Sequence, residues 1–418
     1  MPQSASRKLQ KLDLFTGIGG FVEAAKRNGR IETICASEID SYNCKLIDQN
    51  LNLDNAGDIA TVCISRDNHP YSDGADVVHA EETGFTSLCL EDFFEGVVPF
   101  PDIATGGFPC QNISSANLGD VSGIDGEKSS LVTEQLRIIE DLGIPINIFE
   151  NAEALIRKGL DRILVELNEM GYIVEWETIS ATAFNFPHYR HRVYVVAYLP
   201  DTAIAQTNSR VFDSVRWVAQ YNLEKPFKFP LLNEDPDFVR ANAVAEDTRA
   251  IKLRTKRING LGNAVLPSIP KAIFDSITHI ELDKVLDDDT LSAFEESMPA
   301  AFSVEDGVMC DLSGVHAPVM PTRGIMKGGV VYSDQKRCPL LNPTKTAYSG
   351  LYSTLIRKDG HNFTTKSRLN RPGKLGGLVG EIMSIGVDKG GLHPEFCEMF
   401  MDYSPGYTEL KPPPAPIR

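Results

Sequence analysis

The sequence predicts an open, doubly wound α/β sheet with a smaller domain behind it, on three observations. Short apolar runs of strand length end at Phe15, Ser37, Ala104 and Phe149, and glycine, acidic or thiol-bearing residues follow closely after them. Between the last two strands and beyond, residues 131–142 and 160–170 carry apolar side chains at helical spacing, the pattern of helices laid over a sheet. At 418 residues the chain exceeds the usual single-domain size and can bury a substantial core.

Leu12-Asp-Leu-Phe15 reads as the first strand and runs into Thr16-Gly17-Ile18-Gly19-Gly20 ahead of the helical Phe21-Val-Glu-Ala-Ala25. A strand, glycine turn and helix in that order bring a ligand close to backbone amides at a helix N-terminus. Thr33-Ile-Cys-Ala-Ser37 is the second strand, and Glu38 beyond it is placed to accept hydrogen bonds from ribose hydroxyls. The Gly-x-Gly-Gly spacing lacks the third glycine of the pyrophosphate fingerprint, so an adenosyl ligand without a diphosphate fits better than a dinucleotide.

Pro101-Asp-Ile-Ala-Thr-Gly-Gly-Phe-Pro-Cys110-Gln111 carries a thiol out of an apolar strand into a loop shaped by glycine and proline, where a nucleophile belongs. Ile146-Asn-Ile-Phe149 is a further strand, ending in Glu150-Asn151. Ligands of open α/β sheets bind beyond the carboxyl ends of the strands, so the glycine turn, Glu38, Cys110 and Glu150 are expected to line one crevice. Residues 173–179 and 193–199 read as later strands flanking a hairpin-like excursion at Asn185-Phe-Pro187, and residues 200–256 as a mixed, polar connector carrying Trp217.

In order, these segments resemble the DNA (cytosine-5) methyltransferase family. The resemblance is carried by Asp13-Leu-Phe-Thr-Gly-Ile-Gly-Gly-Phe21, Glu38, Gly57-Asp58-Ile59, Gly106-Gly-Phe-Pro-Cys-Gln111 with Ser114, Glu150-Asn151, Arg190-His-Arg192 and Gly262-Asn263-Ala264-Val265. It implies a Rossmann-like, S-adenosylmethionine-dependent methyltransferase domain with a smaller C-terminal target-recognition domain. The implied reaction is methyl transfer to carbon 5 of a cytosine flipped out of double-stranded DNA. A cognate restriction endonuclease is an implied partner.

The resemblance also implies roles for individual residues. Cys110 would attack carbon 6 as a thiolate, its pKa lowered by Arg190 and Arg192. Glu150, beside Asn151, would act as the acid toward ring nitrogen 3. Phe15 would pack on the adenosine, with the backbone of Gly17, Ile18, Gly19 and Gly20 close by. Glu38 would hold the ribose and Asp58 the adenine amino group; Ile39, Ile59, Pro109, Asn263 and Ala264 complete the cofactor set. Gln111, Ser114, Arg357, Lys358, Lys366, Arg368, Arg371 and Lys374 are the expected DNA contacts, and no metal is expected.

Three departures from the family pattern stand out. His188 occupies the place of a usual glutamine, giving a donor expected to depend on pH, and Ala152 that of a usual valine. The Gly262-Asn263 segment precedes a long C-terminal region, whereas the family commonly places it last. That region contains Leu392-His-Pro-Glu-Phe-Cys-Glu-Met-Phe-Met-Asp-Tyr-Ser-Pro-Gly-Tyr407, similar to the family's late helix but with Asp402 and Ser404 disturbing its ending. A rearranged chain is therefore expected: a catalytic domain over 1–280, an acidic linker over 281–294, target recognition over 295–410 and an extended tail over 411–418.

Each residue alone also has a plain structural role available: a packed cysteine, solvated acids at strand ends, arginines edging a strand, an asparagine in a turn. Alternatives at the level of function are an RNA cytosine-5 methyltransferase, a noncatalytic DNA-binding descendant, and a transferase using a modified S-adenosyl donor. The formal charge of −16, from 41 Lys and Arg against 57 Asp and Glu, counts against a nucleic-acid partner. Against this, the basic run 249–257 and the cluster 357–374 are both expected to contact phosphate. The polar residues 1–11, the absence of a long apolar stretch and eight scattered cysteines lead us to expect an intracellular protein off the membrane with reduced thiols; nothing in the sequence fixes the oligomeric state, for which a monomer is the default expectation.

Overall fold

The computed structural model describes residues 7–63, 88–109, 131–207, 210–224, 241–245, 247–283, 300–305, 308–311, 320–333, 338–339, 341–342, 352–362, 377–384 and 390–411. Cys110, Gln111, Ser114, Lys366, Arg368, Arg371 and Lys374 lie outside the described residues, as do most of the expected linker and nearly all of the tail.

The strands are β1 (Leu9–Leu14), β2 (Ile31–Ser37), β3 (Ile103–Gly106), β4 (Ile146–Ala152), β5 (Ile173–Ser180), β6 (His188–Tyr189) and β7 (His191–Tyr198). After them come β8 (Val244–Ala245), β9 (Ala300–Glu305), β10 (Val308–Asp311), β11 (Arg323–Lys327), β12 (Val330–Ser333), β13 (Tyr352–Ser353) and β14 (Gly391–Leu392). One sheet takes the order β10-β9-β12-β11-β5-β7-β4-β3-β1-β2. In its N-terminal part β1 to β5 all run the same way and β7 alone is reversed, being antiparallel to both β4 and β5. The chain steps from β1 outward to β2 and then back across to β3, which puts the topological switch point between β1 and β3.

Helices cover both faces, as a doubly wound α/β fold requires. On one side, α1 (Gly20–Asn28), α2 (Ser41–Leu51), α5 (Val211–Glu224) and α7 (Ser268–Asp283) bury Phe21, Leu46, Val215 and Phe274 with Ile146, Ile148 and Val196 of the sheet. On the other, α3 (Val132–Leu142) and α4 (Leu160–Glu169) bury Leu136, Ile139, Ile163 and Leu167 against Leu12, Leu14, Phe149 and Val195. Alternate residues of β1 and β4 thus feed opposite cores, each buried large apolar side chain contributing roughly 1.5–3 kcal/mol. The expected polar connector 200–256 therefore contains a packed amphipathic helix: α5 buries Val211, Phe212, Val215 and Ala219 and leaves Trp217 78 % exposed.

Beyond 295, the described strands β9 to β12 do not form a sheet of their own, while β13 pairs with β6 and β14 with β8. β11 pairs with β5, with Arg323 opposite Glu177 and Met326 opposite Val174, so β9 to β12 continue the sheet of β1 to β7. The buried Trp176 indole donates to the Pro321 carbonyl at 3.0 Å across that seam. The late helix, α8 here (Pro394–Phe400), packs back on α6 (Arg254–Asn263), where Arg257 and Glu398 form a buried ion pair at 2.9 Å. The physical reason is burial: Phe396, Phe400 and Met401 join the same core as Phe21 and Ile273.

Candidate active site

Beyond β1 the chain turns sharply. Phe15 adopts a left-handed φ of 53°, costly for a bulky residue, and Gly17 and Gly19 follow at 59° and 93°. Thr16 fixes the turn by donating its hydroxyl to the Asp13 carbonyl at 2.9 Å and its amide to the Ser37 carbonyl at 3.0 Å. Glu38 sits at the end of β2, its carboxylate accepting from the amides of Gly17 at 2.7 Å, Ile39 at 2.9 Å and Asp40 at 2.8 Å. Burial pushes the Glu38 carboxyl up, and those amide bonds pull it back only in part. Asn55 is the clamp beneath: its amide oxygen accepts from Glu38 and Gly57, and its nitrogen donates to the Glu38 carbonyl.

These residues fit an adenosyl group. Helix α1 opens at Gly19 without a side-chain cap, Glu38 is half-buried, and Asp58 and Ile39 are exposed beside it. Below the turn, Lys11 and Asp13 form a fully buried ion pair at 2.8 Å that Thr105 of β3 joins, tying the two strands at the switch point.

The second half of the site lies beyond β3 and β4. Glu150 is buried and pairs with Arg192 of β7, Nε to Oε1 at 3.0 Å. Desolvation raises its pKa, while Arg192 and then Arg190 lower it, so the carboxyl is held above its ordinary range. Asn151 donates to the Phe108 carbonyl at 3.0 Å and so straps the loop Gly107-Phe108-Pro109 to β4. A β-carbon on Gly107 would lie 3.1 Å from Glu150 Oε2, so the loop leading in sequence to Cys110 abuts the carboxyl.

Arg190 turns elsewhere. Its guanidinium is buried and donates to the carbonyls of Ala264 at 2.5 Å, Leu355 at 3.3 Å and Gly262 at 3.4 Å, anchoring the segment that carries Asn263. Asn263 itself is exposed at the C-terminal end of α6, next to buried Ala264. His188 also differs from expectation. It is fully buried, stacks on Phe400 with ring centroids 4.3 Å apart, and is held uncharged by desolvation and by Arg190, its pKa falling to about 3. Its Nε2 lies 3.0 Å from the Phe400 carbonyl, so the proton is on Nε2 and the donor does not switch near neutrality.

The basic run 249–257 divides. Arg254 is buried and donates to the carbonyls of Leu392 and Gly360, and Arg257 is buried against Glu398 and Thr408, so neither reaches phosphate. Lys252 and Lys256 remain exposed. Arg357 and Lys358 are exposed on the 3-10 turn Arg357–His361, which packs directly on α6. Asn55 was not singled out from sequence, and Thr16, Glu398, Tyr403 and Tyr407 were read only within their segments; Asn55, Tyr403 and Tyr407 meet Glu38, Val265 and Ile18 at separations of 17, 138 and 389 positions, so no local spacing marks them.

Residues 90–234 match the model of the C-5 cytosine-specific DNA methylase family. The type II methyltransferase M.DsaV of Dactylococcopsis salina is 27 % identical over 198 residues, 46 % of each chain. The type II methyltransferase M.CviJI of Paramecium bursaria Chlorella virus IL3A is 32 % identical over 133 residues, 31 % of this chain and 35 % of the relative. The orphan methyltransferase M.SPBetaI of Bacillus phage SPbeta is 27 % identical over 263 residues, 57 % of each. The chain thus resembles the DNA (cytosine-5) methyltransferase family, and it spans about half or less of the length of the first two relatives. The crystal structure of S. pombe Dnmt2 methyltransferase shares 15 % identity over 58 % of this chain and 65 % of that one, at a TM-score of 0.39. Among the described residues no helix is long and apolar enough to cross a membrane.

Proposed function

We propose that this protein methylates carbon 5 of cytosine in double-stranded DNA, using S-adenosylmethionine. The observation that carries the reading is the buried Glu150, paired with Arg192 at 3.0 Å and abutted by the loop that leads to Cys110, within a segment matching the cytosine methylase family.

Cytosine carbon 5 is a poor nucleophile until a thiolate adds at carbon 6. In this reading the Cys110 sulfur forms that bond, and Glu150 donates a hydrogen bond or proton to ring nitrogen 3 to relieve the charge that develops. Arg192 orients Glu150, and its positive charge favours the Cys110 thiolate. Once carbon 5 carries the methyl group, a base takes the carbon 5 proton, the 5,6 double bond re-forms and the sulfur–carbon 6 bond breaks, returning the Cys110 thiolate. The bound donor supplies an electrophilic methyl group. Phe15, Gly17, Ile18, Gly19, Gly20, Glu38, Ile39, Asp58, Ile59, Pro109, Asn263 and Ala264 would hold it.

A stacked base cannot enter a crevice at the sheet edge, so the target would be flipped, at a cost of a few kcal/mol offset by phosphate contacts. Arg357 and Lys358 are exposed for that purpose, and recognition is assigned within 295–410, where the segment from Gly391 onward also braces the core. An intracellular setting and a cognate endonuclease belong to the same reading. Tritium transfer from labelled S-adenosylmethionine to unmethylated duplex DNA, beside structured RNA, decides it. Label on DNA cytosine, lost in Cys110→Ser, is expected; label on RNA alone, or on neither despite cofactor binding, overturns it.

A further inference from the structure

The C-terminal segment closes over the glycine turn from behind. The Tyr407 hydroxyl donates to the Ile18 carbonyl at 2.8 Å, and Tyr403, its ring centroid 4.7 Å from that of Tyr407, donates to the Val265 carbonyl at 2.9 Å. A β-carbon built on Gly19 would lie 3.2 Å from the Tyr407 hydroxyl, and one on Gly20 2.9 Å from the Tyr403 hydroxyl. The two tyrosines thus stand against the glycines at the start of α1, beside the Leu51 side chain, which a β-carbon on Gly19 would meet at 2.6 Å, and the Val265 carbonyl, which one on Gly20 would meet at 2.8 Å.

This segment is itself rigidly held. Glu398 of α8 accepts from the Gly406 amide at 2.5 Å, the Thr408 amide at 2.9 Å, the Thr408 hydroxyl and Arg257. From α2, Tyr42 donates to the Thr408 carbonyl and Asn50 to the Tyr407 carbonyl at 2.7 Å. Asp402, in the left-handed region at a φ of 68°, is fixed by Arg27 of α1 at 2.7 Å and by the Ser268 amide at 2.7 Å. Helices α1, α2, α6, α7 and α8 thus all contribute to placing Tyr407.

We infer that Tyr407 is a positioning residue for the cofactor turn: its hydroxyl fixes the Ile18 carbonyl while the Gly19 amide is engaged by the Thr16 carbonyl at 2.9 Å, and together these bonds aim the Gly20 amide at the ligand. The inference rests on the adenosyl reading of that turn. Without the hydroxyl, the Ile18–Gly19 peptide keeps only the bond from its N–H to the Thr16 carbonyl at 2.9 Å, and Gly17 and Gly19 add little backbone restraint of their own.

Titration of S-adenosylhomocysteine into wild type and Tyr407→Phe tests it, together with urea unfolding and peptide-resolved hydrogen exchange. Losing one neutral hydrogen bond to a carbonyl is expected to weaken binding by about three- to tenfold. KM for the donor rises with kcat retained at saturation, and exchange quickens in the peptide over 15–22 while α2 and α7 are unchanged. Equal affinity for the two proteins overturns the inference. So does a loss accompanied by a lowered urea midpoint and uniformly faster exchange, which is the behaviour of a packing residue alone. A wild type that binds no S-adenosylhomocysteine removes the adenosyl reading, and the inference with it.

Discussion

His188 shows how one enclosed ring adds a pH dependence to folding. In the unfolded chain it titrates near 6.5, but in the fold its pKa is about 3. Between those values the unfolded state binds a proton that the folded state refuses, so stability is full above pH 6.5 and declines as pH falls toward 3, by roughly 1.4 kcal/mol per pH unit. His188→Gln, which keeps a donor but cannot titrate, should flatten urea midpoints measured across that range. Parallel curves for the two proteins would show that the ring does not set the slope. Glu150 works in the opposite direction: burial favours its protonated form, which is also the form a general acid needs.

At the scale of the element, α6 is a junction although its sequence looks like a basic surface run. Arg254 and Arg257 point inward to satisfy carbonyls and a carboxylate, and Gly262 lies so close to the turn after Leu355 that a β-carbon there would meet the Arg357 amide at 2.3 Å. The obstacle is backbone, which cannot rotate aside. Gly262→Ala should cost about 1–3 kcal/mol in urea unfolding, the range for overpacking, and should weaken duplex binding by displacing Arg357 and Lys358. Unchanged stability and affinity would mean that the turn yields freely and does not hold those two side chains in place.

At the scale of the molecule, distant parts of the chain are interlocked. The sheet runs unbroken from β2 to β10, and α8 with its following loop is wedged among α1, α2 and α6. Glu398 is the centre of that wedge, fully buried with several donors directed at it. Glu398→Ala leaves Arg257 buried without its counter-charge, a change worth about 3–5 kcal/mol. A single cooperative urea transition shifted by that amount is expected. Loss of the C-terminal segment in a separate early transition would show instead that the wedge folds as its own unit.

The order of strands and the polar residues just beyond them were legible in the sequence because both are local: a strand's apolar run, a glycine turn and an acid at a strand end need no knowledge of neighbours. That was enough to read the α/β class and to place the glycine turn and Glu38 directly after strand ends and Glu150 at the carboxyl end of β4, and the resemblance supplied the expected chemistry. Direction and pairing of side chains were not legible. Arg190 and Arg192 are two residues apart, yet one holds the carbonyls at the end of α6 and the other holds Glu150. Tyr407 reaches Ile18 across 389 positions of sequence. Which arginines are buried, and which tyrosine meets the glycine turn, depends on surfaces that exist only once the helices have packed, and no pattern along the chain records them.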